Sequence, residues 1–237
     1  MSDPLKVGLI FEGPTDFVVL RAAIAALLEN REFEITTVQP ALSNALAPRT
    51  GGGWTAVYLW CRQVLEQARG QARDNALFNT FDLLILHVDA DVAGKRYSDD
   101  QRIQDPPDDL PCECPCPPTN ATTDALRRVV LGWLGETSVP PRTVLCTPSK
   151  STETWVLVAL LPDEAVNSPV ELECRRDVEV VLQRMPSDRR IIRSTGKQIM
   201  EYRKREGELR LAWPQVRVSC SEAERFSQEF LAALPAS

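Results

Sequence analysis

The chain has a single histidine in 237 residues, and that scarcity excludes more than any abundance does. A Ser/His/Asp or Cys/His nucleophilic triad has only His87 to draw on. His87 lies inside the apolar run 82–88, which reads as a buried strand, so it is expected to be a packed, hydrogen-bonded side chain rather than a base or ligand. No Gly-x-x-x-x-Gly-Lys-Ser/Thr run occurs, so the chain has no ATPase phosphate loop of its own. Long apolar stretches are missing too: none approaches the roughly 20 residues a membrane-spanning helix needs. The apolar residues after Lys6 stop at Glu12, too soon for a signal peptide, and the expectation is a cytoplasmic protein with no membrane partner.

The net charge of −6 argues against a protein that coats nucleic acid indiscriminately. The charge is unevenly placed, however. Residues 98–118 carry Asp99, Asp100, Asp105, Asp108, Asp109 and Glu113 against Arg102 alone, whereas residues 175–217 hold twelve bases against six acids. An acidic loop and a basic C-terminal third are compatible with nucleic-acid binding in one region. The seven cysteines of a cytoplasmic chain are expected to be reduced thiols, or a partial metal site, rather than disulfides. Cys112-x-Cys114-x-Cys116 has the wrong spacing for structural zinc, and the only histidine is buried elsewhere; Cys61, Cys146, Cys174 and Cys220 read as small core residues.

Short apolar, β-branched runs alternate with helical periodicity, which indicates a mostly parallel α/β sheet. Strands are expected over 6–11, 33–38, 82–88 and 143–146. Thr15 reads as the N-cap of a first helix running to about residue 30, and a second helix is expected over 54–75 after a glycine-bearing loop, 40–53. Residues 94–119 hold six of the eighteen prolines with Pro118 included, and read as a long irregular loop, placed to act as a lid or specificity element. Helices follow over 123–134, 153–161, 176–184, 196–206 and 222–234. The division expected is an α/β domain over 1–165 and a helical, Arg-rich extension over 166–237 packed on it.

In an open parallel sheet, functional groups gather beyond the carboxyl ends of the strands. Glu12 ends the first apolar run, and Asp89 and Asp91 end the third. Hard oxygen ligands of this kind suit Mg²⁺ or Mn²⁺. Taken alone, Glu12-Gly13-Pro14 is also a plain strand-to-helix turn with Asp16 favoured by the helix dipole. Asp89-x-Asp91 alone also fits a solvated loop or a sugar-nucleotide site. An EF-hand is excluded, because Ala93 and Asp100 stand at its fifth and twelfth positions and a strand precedes it.

Taken together, Glu12-Gly13-x-Thr15-Asp16 after one strand and Asp89-x-Asp91 after another resemble the Toprim superfamily. That superfamily includes type IA and type II topoisomerases, bacterial primases, small RNA-maturation nucleases and the overcoming-lysogenization-defect (OLD) nucleases. The chain is most similar to small stand-alone bacterial Toprim-like proteins near the OLD group, in which a further acid follows the next strand in a Ser-x-Glu-x-Trp-like context. Ser151-Thr152-Glu153-Thr154-Trp155 matches that context, and the resemblance covers about residues 6–161.

The resemblance implies a Toprim-like sheet and a metal-dependent nuclease acting on DNA or RNA, in a phage-defence setting. Glu12 would act as general acid or base. Asp89 and Asp91 would hold Mg²⁺ or Mn²⁺ with Glu12, and Glu153 would be a further ligand or a site organiser. Lys197, in an expected C-terminal helix, would contact nucleic acid together with Arg193, Arg203 and Lys204. The chain is too small for a topoisomerase, and none of Tyr58, Tyr97 and Tyr202 stands in a nucleophile context. The alternative reading is a Toprim-fold subunit with little activity alone, bound to an ATPase partner protein.

Overall fold

The computed structural model describes residues 3–39, 52–68 and 70–235. The expected loop 40–53 lies almost wholly outside the described residues. The fold is α/β, built on a four-stranded, all-parallel sheet in the order β2-β1-β3-β4. The strands are β1 (Leu5–Ile10), β2 (Phe33–Gln39), β3 (Leu83–His87) and β4 (Thr143–Cys146). Every residue of β3 is buried, as expected of a central parallel strand covered on both faces, and so is every residue of β4 at the sheet edge. From β1 the chain steps outward to β2, then returns to place β3 on the other side of β1. The switch in strand order therefore falls between β1 and β3, the two strands that end in Glu12 and Asp89.

Strand alternation feeds two cores. Leu5, Val7 and Leu9 of β1, with Leu83 and Ile85 of β3, pack against α1 (Pro14–Leu28), α4 (Glu153–Leu160), α7 (Ile199–Ser219) and α8 (Ser221–Ala233). Ile10, Leu84, Leu86 and Leu145 face α2 (Trp54–Ala68) and α3 (Thr119–Trp133) on the other side. The C-terminal helices complete the first core: Trp155 meets Trp213 edge-on at 5.3 Å and stacks on Phe226 at 6.2 Å. The start of α8 is capped from a distance, because Glu173 accepts hydrogen bonds from the backbone N–H of Ser221 (2.7 Å) and Glu222 (3.1 Å).

The boundaries of several helices depart from the sequence expectations. Helix α1 opens with Gly13 as N-cap and Pro14 in its first turn, and Thr15 lies inside the helix rather than capping it. Helix α2 ends at Ala68, not near 75, and α3 starts at Thr119 rather than 123. The short helices α5 (Pro162–Val166) and α6 (Val178–Gln183) follow, the latter shorter than expected. The helix expected from 196 begins at Ile199, because Gly196–Lys197 (β6) pairs antiparallel with Ile192–Arg193 (β5). Helix α7 then runs through Pro214 to Ser219, well past the expected end at 206. Its buried Leu209, Trp213 and Val216 hold it in the first core, and that packing outweighs the backbone hydrogen bond lost at proline.

Residues 94–118 are largely irregular, as expected, and are anchored to the domain: Tyr97 is buried, donates to Asp109 (2.7 Å) and accepts from Trp133 Nε1 (2.7 Å). One expectation is corrected here. Cys116 and Cys174 form a disulfide, so Cys174 is not a free core thiol. Cys61, Cys146 and Cys220 are buried thiols, as expected, and Cys112 and Cys114 are free.

Candidate metal centre and cleft

Three strand ends build the site. Where β1 ends, the chain turns through Glu12 and Gly13 into α1. Asp16, in the first turn, accepts from the Gly13 N–H through Oδ2 (3.0 Å) and from the Thr152 hydroxyl through Oδ1 (2.7 Å). Its position at the helix N-terminus favours a carboxylate. Where β3 ends, His87 is its last residue and Asp89 follows two positions on. Asp89 Oδ1 accepts from the Thr152 N–H (3.2 Å), and the Asp89 N–H donates to Glu12 Oε1 (2.8 Å). Thr152, in the connection after β4, thus binds both aspartates.

Among the described residues, Asp16, His87 and Asp89 each offer one ligand atom, and the three atoms lie within 4.8 Å of one another. His87 Nε2 lies 3.2 Å from Asp89 Oδ1, yet neither ring nitrogen makes a well-formed hydrogen bond. Sequence reasoning treated His87 as a packed, hydrogen-bonded residue; the structure places it in the acidic group with its hydrogen-bonding capacity unspent. Asp16 was legible only as a helix-dipole residue. The signal that could have found it is the motif itself, in which Asp16 stands in the first helical turn four residues after the strand-end Glu12.

The electrostatics are those of several anions in one dry place. Burial drives Glu12 well above the usual carboxylate range, with the Asp89 charge adding to it. Burial likewise raises Asp16, and burial together with the Asp16 charge raises Asp89 to about 7, against the opposing pull of His87. For His87, burial works against the imidazolium, but the adjacent Asp89 carboxylate, with Asp16 and Glu12, outweighs it and raises the pKa to about 9.

The other expected residues are spread around this group. Asp91 is half exposed at 51% and lies 3.4 Å from Lys95 Nζ. Glu153 is fully buried in the first turn of α4, where its Oε1 accepts from the Tyr202 hydroxyl (2.9 Å) and its Oε2 lies 2.7 Å from Lys197 Nζ. Lys197 also reaches Glu179 at 3.2 Å, and it does so from a hairpin strand, not from the helix expected. Arg193, Arg203 and Lys204 are exposed, and Lys204 pairs with Glu201 at 2.9 Å.

An open cleft of about 480 Å³ adjoins the group, with Asp89 and Asp91 on one side and Lys95, Lys150, Arg175, Arg176 and Lys197 around it. A second opening of about 400 Å³ reaches Glu12, Asp16 and Asp89, and shares Lys197. The cleft's cations are therefore Lys197 with four residues that the sequence did not single out, while Arg193, Arg203 and Lys204 are not among the described residues that line it.

The donor set fits a divalent ion. Two carboxylates supply hard oxygen, the one imidazole moves the preference from Mg²⁺ toward Mn²⁺ or another first-row ion, and His87 offers a nitrogen lone pair once an incoming cation displaces its proton. Among the described residues no helix is long and apolar enough to cross a membrane. Compared with known proteins, the chain matches no family model, no curated protein and no solved structure.

Proposed function

We propose that this chain is a divalent-metal-dependent nuclease with a Toprim-like site. One observation carries the reading: a buried Asp16/His87/Asp89 group lies beside Glu12 at the switch point of a parallel sheet and opens onto a cation-lined cleft. Phosphodiester chemistry needs both halves, namely anions that hold a metal and cations that hold the backbone.

In this reading Asp16, His87 and Asp89 hold the ion, and Thr152 fixes the two aspartates through its N–H and hydroxyl. Bound Mg²⁺ or Mn²⁺ supplies Lewis-acid stabilisation of charge on phosphoryl oxygens and lowers the pKa of water. Glu12 has the raised affinity for a proton that a general acid needs, and one of its oxygens is already oriented by the Asp89 N–H. In this role Glu12 delivers that proton to a leaving oxygen. Asp91, at the rim, orients the incoming strand or assists at the metal. Glu153, closed in by Lys197 and Tyr202, positions Lys197 between the two openings rather than meeting substrate.

The test is incubation of purified protein with plasmid, single-stranded DNA and RNA in Mg²⁺ or Mn²⁺. Cleavage is expected, strongest with Mn²⁺, and Asp89→Asn, Asp16→Asn and Glu12→Gln should each reduce it by about a hundredfold or more. Variants that cut like the parent protein would remove the site, and absence of cleavage with every metal and substrate would remove the function.

A further inference from the structure

The cleft lining holds an arrangement that the proposed chemistry does not use. Lys150 Nζ and Arg176 Nη2 converge on one oxygen, Oε1 of Glu113, at 2.8 and 3.1 Å. Lys150 comes from the connection after β4 and takes the left-handed backbone conformation, with φ of 60°, that a lysine rarely adopts. Its carbonyl accepts the Asp91 N–H (3.0 Å), so its backbone is tied directly to the segment that follows Asp89. Glu113 comes from the irregular region, where its N–H donates to the Ala93 carbonyl (3.0 Å). The Cys116–Cys174 disulfide joins that region to the segment bearing Arg176, so carboxylate and cations are presented to each other by a covalent link.

An ammonium and a guanidinium aimed at a single anionic oxygen inside a cleft are the donor set for a phosphate. Glu113 supplies the anion from within the chain. It is held weakly enough to be displaced, since its side chain is 35% exposed and Arg176 is 78% exposed. We propose that Lys150 and Arg176 form a phosphate subsite beside the metal group, and that Glu113 occupies it as an internal competitor which a backbone phosphate of a nucleic acid displaces. The nucleic-acid part rests on the nuclease reading; the subsite itself does not.

The experiment measures binding without cleavage, on metal-free full-length protein. Inorganic phosphate is titrated and followed by phosphorus NMR, and a short fluorescein-labelled single-stranded DNA is titrated and followed by anisotropy. Glu113→Gln should bind both probes about fivefold to tenfold more tightly, by removing the competing charge. The gain should vanish in Glu113→Gln/Arg176→Gln, while Glu66→Gln, which removes an exposed acid outside the cleft lining, should leave affinity unchanged. Unchanged affinity in Glu113→Gln, or a gain that survives Arg176→Gln, overturns the subsite. A gain confined to inorganic phosphate overturns its assignment to nucleic acid. The expected pattern in a protein that cuts nothing with any metal leaves the subsite standing and sinks the nuclease reading alone.

Discussion

Asp16, Asp89 and Glu12 raise the residue-scale question of why three acids crowd one buried place. Without a cation the arrangement opposes folding, and the sign follows from linkage. An acid whose folded pKa is raised gives its full stability contribution below its unfolded value, and loses it as pH rises through the folded value. Asp89 does so between its ordinary 3.8 and about 7, and Asp16 and Glu12 act in the same direction. His87, raised from 6.5 to about 9, contributes fully below 6.5 and loses that contribution as pH climbs through 9. Carboxylates held down by basic partners, such as Glu113 beside Lys150, titrate below this window. The melting temperature in EDTA should therefore fall steadily from about pH 5 to about pH 9, and Asp89→Asn should flatten the fall. A melting temperature that is level or rises across that range would contradict the buried cluster.

Helix α3 shows how single residues set an element's limits. It ends in a Schellman motif: the Glu136 N–H bonds the Leu131 carbonyl (2.9 Å), and the Gly135 N–H bonds the Gly132 carbonyl (3.0 Å). Gly135 has φ of +66°, and a Cβ there would come within 2.8 Å of the Gly70 carbonyl oxygen and 2.7 Å of Leu65. Both backbone strain and overlap oppose a side chain, so Gly135→Ala should cost about 1–3 kcal/mol in urea unfolding. A loss within measurement error would mean that the turn relaxes freely. Strand cores were legible at this scale because apolar runs state their burial directly: β4 falls on its expected residues, and β3 within one residue at each end. The ends of α2 and α7 were not legible. Pro214 normally argues for a break, and only the partners of Trp213 and Val216 keep the helix whole.

At the scale of the whole molecule, the disulfide joins parts that the sequence keeps 58 residues apart. Closing a loop of that length restricts the unfolded chain by about 4 kcal/mol in the chain-entropy picture. The double variant Cys116→Ser/Cys174→Ser should lower the guanidinium midpoint accordingly, and an unchanged midpoint would show the link to be idle. In the same material, thiol titration under denaturing conditions should find the five free cysteines without reductant and seven with it. The C-terminal helices belong to the same argument, since α7 and α8 share one core with β1 and α1.

The sequence by itself determined the α/β class, the strand positions, and the carboxylates that follow β1 and β3. Those features are local: hydrophobic period and the residue after a strand are written in adjacent positions. Tertiary structure alone decided which acids share a site. It drew Asp16 and His87 inward with Asp89, left Asp91 half exposed on the rim, and closed Glu153 behind Lys197 and Tyr202. It also set Lys95, Lys150, Arg175 and Arg176 around the cleft beside the expected Lys197. The reason is physical: burial and convergence depend on the strand order 2-1-3-4 and on a threonine hydroxyl 136 residues from its aspartate, and no local pattern encodes either.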